Sequence, residues 1–305
     1  MSRTARGTLL VVVAAACWGA FSTVAKVLFV EGAVTPQALA GIRAALAVSL
    51  LLPALLLWNP ALLRIRPADL PVLAFLGIAG IAINNFFYLT TISLTAVATA
   101  VLLQYMSPIL VASYAVVVER RPLTGRLLSA LAAAVAGCAL VVRGYNPAAL
   151  RLSLPGLLTG LGAAVFFAVY TVVSQRALGR LDSWTLLTYA FGFAALFWFL
   201  LTPPWVLLAG HPPRVWGLLL LFAGLGTAVP FGLYLRGLTH VPAVTAQIVS
   251  TLEPVVAAAA AFLVRGEGLE ALQLLGGGLV LGAVLLVQEV PGGTASAPCA
   301  GHTTT

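Results

Sequence analysis

Residues 97–118 read VATAVLLQYMSPILVASYAVVV and residues 243–264 read AVTAQIVSTLEPVVAAAAAFLV, two apolar stretches of equal length that align without a gap. At a single offset of 146, Thr99-Ala100 falls on Thr245-Ala246, Pro108 on Pro254, Ala112 on Ala258, Ala115 on Ala261 and Val118 on Val264. The same offset carries outward, placing Tyr88-Leu89 on Tyr234-Leu235 and Leu123 on Leu269. An offset of 148 relates Ala20 to Ala168 and Thr23-Val24 to Thr171-Val172. Alanine coincidences are cheap in so apolar a chain, but tyrosine and proline coincidences are not. The chain is therefore a duplication, and a long-period repeat decides architecture.

Each stretch is long enough to cross a bilayer, which takes about twenty apolar residues. Ten such segments are predicted: 8–30, 36–57, 70–91, 95–118, 126–142, 154–176, 184–202, 215–236, 242–264 and 269–288. The breaks fall at Pro36, Pro60 and Pro67, Arg120-Arg121-Pro122, Asn146-Pro147, Asp182, Pro203-Pro204 and Pro212-Pro213. Of the 305 residues, 61% are hydrophobic and 8% charged. Soluble domains carry roughly a quarter charged residues, so most of this surface faces lipid. The expected fold is an all-α membrane protein of two repeats, 1–145 and 146–290, with a disordered tail at 291–305. Five helices per repeat, an odd number, turn the second half upside down relative to the first.

The net charge of +8 comes from sixteen Lys and Arg against eight Asp and Glu. The basic residues sit singly or in pairs between apolar runs. That is a topology signal and not a nucleic-acid surface. With the N-terminus in the cytoplasm, the inner segments, helix ends included, hold Arg3, Arg6, Arg64, Arg66, Arg120, Arg121, Arg126, Arg176, Arg180 and Arg236, and the outer loops Arg143, Arg151, Arg214 and Arg265. Both termini are thus expected inside. Arg3 and Arg6 followed by an apolar run imitate a signal peptide, and Ala14-Ala15-Ala16-Cys17 imitates a lipoprotein cleavage site. The run continues through Trp18 to Val30, so it reads as a retained first helix. Cys17, Cys138 and Cys299 fit no zinc or redox spacing.

A charge at the centre of a membrane helix costs about 2.5–3.5 kcal/mol on insertion scales and is usually functional or paired. Lys26, Arg43 and Glu253 lie within predicted helices. Glu253 is the deepest and precedes Pro254, which frees a carbonyl one turn earlier. It either faces a polar cavity, binding a cationic group or carrying a proton, or makes a structural salt bridge with Arg43 or Lys26. Arg43 reads as pairing and Lys26 as snorkelling.

The repeat sets further polar groups at matching places. Asn84 corresponds to Pro230, Tyr88 to Tyr234, Gln104 to Ser250 and Ser107 to Glu253. Asn84 and Tyr88 share one helix face, and the pairs Gln104/Ser107 and Gln247/Ser250 each share another. Together they line one central cavity or act as hydrogen-bonding glue between helices. Trp18 and Phe166 match in the repeat, with Tyr170 one turn beyond Phe166. These rings stack on substrate or fill space. Ala130, Ala134 and Gly137, and Gly276, Gly277, Gly278 and Gly282, mark segments five and ten as packing or homodimer contacts.

No catalytic constellation stands out. His211, His240 and His302 lie in or near loops or the tail, no Walker A sequence is present, and one deep acid does not make an intramembrane active site. A secondary carrier for a small molecule, without cofactor or metal, is the expected function. A channel and a membrane enzyme are the competing classes.

The chain resembles the EamA family of the drug/metabolite transporter superfamily over nearly its whole length. The resemblance rests on Ala16-Cys17-Trp18-Gly19-Ala20 with Lys26, on Arg43, and on Glu253-Pro254-Val255-Val256-Ala257 followed by Arg265-Gly266-Glu267 and Gly276. The matching first-half segment runs from Ser107-Pro108 to Glu119, with Ser107 in place of the acid. This resemblance implies ten helices in two inverted repeats and a cavity lined by segments one, three, four, six, eight and nine. It implies secondary transport, commonly export of amino acids, metabolites or drugs, and assigns Glu119 and Glu267 to helix ends. The alternative cargo is a drug or other cationic compound.

Overall fold

The computed structural model describes residues 2–30, 34–150, 153–265 and 268–288. The predicted tail, 291–305, lies outside the described residues, as do Arg151, Glu267 and the side chains of Lys26 and Arg265.

We label the long helices α1 (Arg3–Val30), α2 (Pro36–Trp58), α3 (Pro67–Leu94), α4 (Val97–Val117), α5 (Gly125–Val141) and α6 (Leu154–Ala177). They continue with α7 (Ser183–Leu201), α8 (Pro213–Leu238), α9 (Ala243–Ser250 and Leu252–Arg265) and α10 (Ala271–Gln288). Nine of these are long and apolar enough to cross a membrane, and α5 is a shorter apolar helix of 17 residues. The helix α1 runs unbroken through Cys17. Exposed leucines such as Leu57, Leu158, Leu200 and Leu263 cover the outside, a surface suited to hydrocarbon.

The punctuation in the sequence becomes helix N-termini. Thr35, Thr124 and Ser153 each accept a hydrogen bond from the backbone three residues on, at 3.2 Å, and so cap α2, α5 and α6. Asp182 caps α7 through the Trp184 N–H at 2.8 Å. Four predicted continuous segments are interrupted. Pro108 and Pro254 have no N–H, and their rings collide with the carbonyl four residues earlier. The first parts of α4 and α9 accordingly stop at Gln104 and Ser250. In α3 and α8 the interruption is π-helical, at Leu76–Ile83 and Gly224–Ala228. Adding 146 to the first range gives 222–229, which contains the second. The predicted breaks also hold short helices, at Pro60–Leu63, Pro147–Leu150 and Pro204–Leu208.

Packing repeats with the halves exchanged. α1 packs on α8 and α9, and α6 packs on α3 and α4; α2 pairs with α7, and α5 with α10. The last contact is a close crossing of Gly137 and Gly276, where a Cβ on either would lie 2.7 Å from the other's carbonyl oxygen. Gly137 and Gly276 therefore face each other inside one chain, whereas a Cβ at Gly278 or Gly282 would meet open space.

The same pairing gathers alternate loops at one end of the bundle. Arg180 meets Asp69 at 3.2 Å and Arg176 meets Glu119 at 3.2 Å. Arg3 donates to the Thr239 carbonyl, and Gln175 to the Val241 carbonyl at 2.8 Å. The N-terminus and the α2–α3, α4–α5, α6–α7 and α8–α9 connections thus share an end. At the other end, Arg143 meets Glu270 at 3.1 Å and Gln37 donates to Thr202 at 3.1 Å.

Candidate functional site: a charged cavity between the halves

A cavity of about 50 Å³ lies where seven helices meet. It is lined by Trp18 of α1, Arg43 of α2, Asn84, Asn85, Tyr88 and Ile92 of α3, Gln104 of α4, Phe167 of α6, Phe222, Gly226 and Phe231 of α8, and Glu253 of α9. Water needs about 10–15 Å³ of such volume, so the space holds a few waters and must widen to admit a metabolite.

Glu253 reaches the cavity because Pro254 breaks α9 beside it. The backbone of α1 runs close by, since a Cβ at Gly19 would lie 2.5 Å from the Glu253 carbonyl oxygen. Glu253 is 5% exposed. Its carboxylate accepts from the Tyr105 hydroxyl at 2.7 Å on one oxygen and from the Tyr88 hydroxyl at 3.2 Å on the other. Tyr105 is at the break in α4, 146 residues before Thr251 at the break in α9.

Arg43 is 4% exposed. It does not make the carboxylate pair expected of it. Its Nε donates to the Thr227 hydroxyl at 3.1 Å, and its guanidinium lies 4.8 Å from the centre of the Phe222 ring. Among the described residues no carboxylate comes within ion-pair distance of Arg43. The salt-bridge reading of Glu253 with Arg43 is therefore corrected: both charges face one cavity, each held by neutral groups. A pairing with Lys26 lies outside the described side chains. Three amide atoms of the same lining, Asn84 Oδ1, Asn85 Nδ2 and Gln104 Oε1, are buried without a hydrogen-bond partner among the described residues.

Of the residues singled out in the sequence, the cavity brings together Trp18, Asn84, Tyr88, Gln104 and Glu253. Ser107, Gln247 and Tyr234 go elsewhere, into a closed network towards the end that bears the N-terminus. Ser107 donates to Gln247 Oε1 at 2.7 Å, and Gln247 Nε2 donates to Thr171 Oγ1 at 2.6 Å. Thr171 meets the Tyr234 hydroxyl at 2.8 Å and donates to the Phe167 carbonyl at 3.0 Å. All four side chains are fully buried. Ser250 turns back to the Ala246 carbonyl at 2.9 Å. Phe166 stacks on Phe87, 5.6 Å away, and does not line the cavity; its neighbour Phe167 does, 6.2 Å from Trp18. Tyr170 packs behind the lining against Phe231 at 5.8 Å. Asn85, Tyr105, Phe222, Phe231 and Thr227 were not singled out from the sequence, although Tyr105 and Thr227 make the polar contacts that hold the two charges.

The EamA-like transporter family matches this chain twice, over residues 5–143 and 154–288. The chain belongs to the EamA-like transporter family. The inner membrane transporter YicL of Salmonella typhimurium is 29% identical, over 94% of this chain and 96% of its own length. The threonine/homoserine exporter RhtA of Escherichia coli is 28% identical, over 74% of each chain. A crystal structure 20% identical in sequence shares the fold, with a TM-score of 0.76 over 94% of this chain and 96% of that one. This EamA protein is thus a multi-pass membrane protein, and its two family matches coincide with the two halves of the repeat.

Proposed function

We propose that the chain is a secondary carrier of the bacterial inner membrane, with ten helices in two inverted repeats and both termini in the cytoplasm. It exports small zwitterionic metabolites, amino acids foremost, by alternating access. One observation carries the cargo class: Arg43 and Glu253 face the same cavity without pairing to each other. A buried charge needs a counter-charge. An α-amino acid brings one of each, its carboxylate to Arg43 and its ammonium to Glu253, and leaves the site neutral. The likeness to a threonine/homoserine exporter agrees with that choice.

Alternating access is supported by the repeat. Tyr88 and Glu253 on one side correspond to Tyr234 and Ser107 on the other. The first pair lines the cavity, while the second is locked in the network of Gln247 and Thr171. Equivalent elements in unlike states are what a carrier in one of its two access states presents. The inner end is assigned from the loop arginines. The family match and the transporter relatives support a carrier over an enzyme.

Export of a cationic compound is the second reading, favoured by the rings of Trp18, Phe167 and Phe231 beside Glu253. Counterflow of labelled amino acids into proteoliposomes separates the two. Saturable exchange of an amino acid, lowered at least about tenfold by Glu253→Gln, is expected. Exchange of organic cations alone would replace the amino-acid reading, and unsaturable flux would indicate a channel.

A further inference from the structure

Arg43 is aimed by something the cavity lining does not include. Thr227 is fully buried within the π-helical segment of α8. In an ordinary α-helix a threonine hydroxyl bonds a carbonyl three or four residues back. Here it donates to the Phe222 carbonyl, five residues back, at 2.9 Å. Its single proton is spent there, so its lone pairs face Arg43, whose Nε–H they receive. The Phe222 ring covers the guanidinium face. A guanidinium is planar with five donors in a fixed fork. With Nε–H tied to Thr227 and the face against Phe222, the edge formed by the two terminal nitrogens is left for a two-pronged bond to a carboxylate.

We propose that Thr227 is the positioning residue for carboxylate recognition by Arg43, and that the π-helical turn of α8 serves to aim it. The inference rests on the amino-acid reading above and adds the device that orients the cation. α3 carries a π-helical segment too, but the residue 146 positions before Thr227 is Ile81, which has no hydroxyl. The device belongs to one half only.

The test compares wild type, Thr227→Val, Thr227→Ser and Arg43→Lys in proteoliposomes, with labelled threonine and its decarboxylated amine as probes. Thr227→Val keeps shape and loses the hydroxyl. It is expected to raise the half-saturating threonine concentration about tenfold, with the maximal rate little changed, and to narrow the preference for acid over amine. Thr227→Ser is expected to stay within about twofold of wild type. A second readout does not depend on transport: hydrogen exchange at Arg43 Nε–H, followed by NMR of protein labelled with ¹⁵N-arginine and assigned by the Arg43→Lys spectrum. Thr227→Val is expected to speed that exchange, and Thr227→Ser is not. Unchanged exchange in Thr227→Val overturns the contact. Faster exchange with unaltered preference for acid over amine overturns the role in carboxylate recognition. Failure of wild type to carry any amino acid removes the cargo reading alone, and the exchange experiment then still decides whether Thr227 holds Arg43.

Discussion

Replacing Gln247 by Leu tests the closed network where it is most dependent on one residue. Gln247 uses both ends of its amide, accepting from Ser107 at 2.7 Å and donating to Thr171 at 2.6 Å, in a fully buried site. Leucine fills nearly the same space without either bond. Thr171 keeps two partners, the Phe167 carbonyl and Tyr234. Among the described residues Ser107 has no second side-chain partner to take the place of Gln247. Leaving one buried hydroxyl unsatisfied costs about 1–3 kcal/mol, and the variant loses that much from the sealed state. If opening this end lets water reach Ser107, the loss is confined to the sealed state, and the open population rises by about 5–150-fold. The assay places one thiol at the fully buried Ser250, as Ser250→Cys, in protein with Cys17, Cys138 and Cys299 replaced, and follows labelling by a membrane-impermeant maleimide. At least fivefold faster labelling with Gln247→Leu is expected, taking the low end of that range. Unaltered labelling, with helix content retained by circular dichroism, would show that the network does not seal this end.

Two further outcomes follow from other regions. Gly276→Leu forces a side chain into the Gly137 carbonyl and should lower the melting temperature of the purified protein, since overpacking costs about 1–3 kcal/mol. Gly278→Leu, where a Cβ meets open space on the same helix, should not. Beyond the end of α5, the Tyr145 hydroxyl donates to Glu270, and that hydrogen bond, with lesser help from desolvation and the carboxylate charge, raises the phenol above its ordinary range. A raised pKa in the fold means that the contact contributes at neutral pH and is lost as pH rises through the Tyr145 value. Absorbance titration should show Tyr145 ionising at lower pH in Glu270→Gln than in wild type, and equal titrations would refute the contact.

Helix placement was legible because hydropathy and the proline, glycine and charge breaks are local signals. Pro108 and Pro254 even mark where α4 and α9 divide. The π-helical segments were not legible in this way. Such a segment changes hydrogen-bond register without changing hydropathy, and although Pro230 follows the one in α8, Asn84 stands at the matching place in α3. The site was half legible for a related reason. A repeat matches Asn84, Tyr88 and Gln104 with Pro230, Tyr234 and Ser250, and so predicts equal roles. A single conformation breaks that equality, sending the first three to the cavity while Tyr234 joins the network and Ser250 bonds its own helix. The repeat points to Phe166, whereas Phe167 lines the cavity, because one residue turns a helix face by about 100°.

The correspondence of Ser107 with Glu253 sets a limit on how far the two halves are interchangeable. Were both positions serine or both glutamate, a conformation and its mirror counterpart would be matched there in chemistry. With one hydroxyl and one carboxylate, swapping the roles of the halves moves a negative charge from a tyrosine-bound setting to another environment altogether. In the alternating-access cycle proposed above, this one position therefore contributes a difference in free energy between the two orientations of the empty protein. Such a difference would bias which face an empty carrier presents first. It cannot by itself drive net movement, because every full cycle returns the protein to its starting point, and the direction is left to the electrochemical gradients across the membrane.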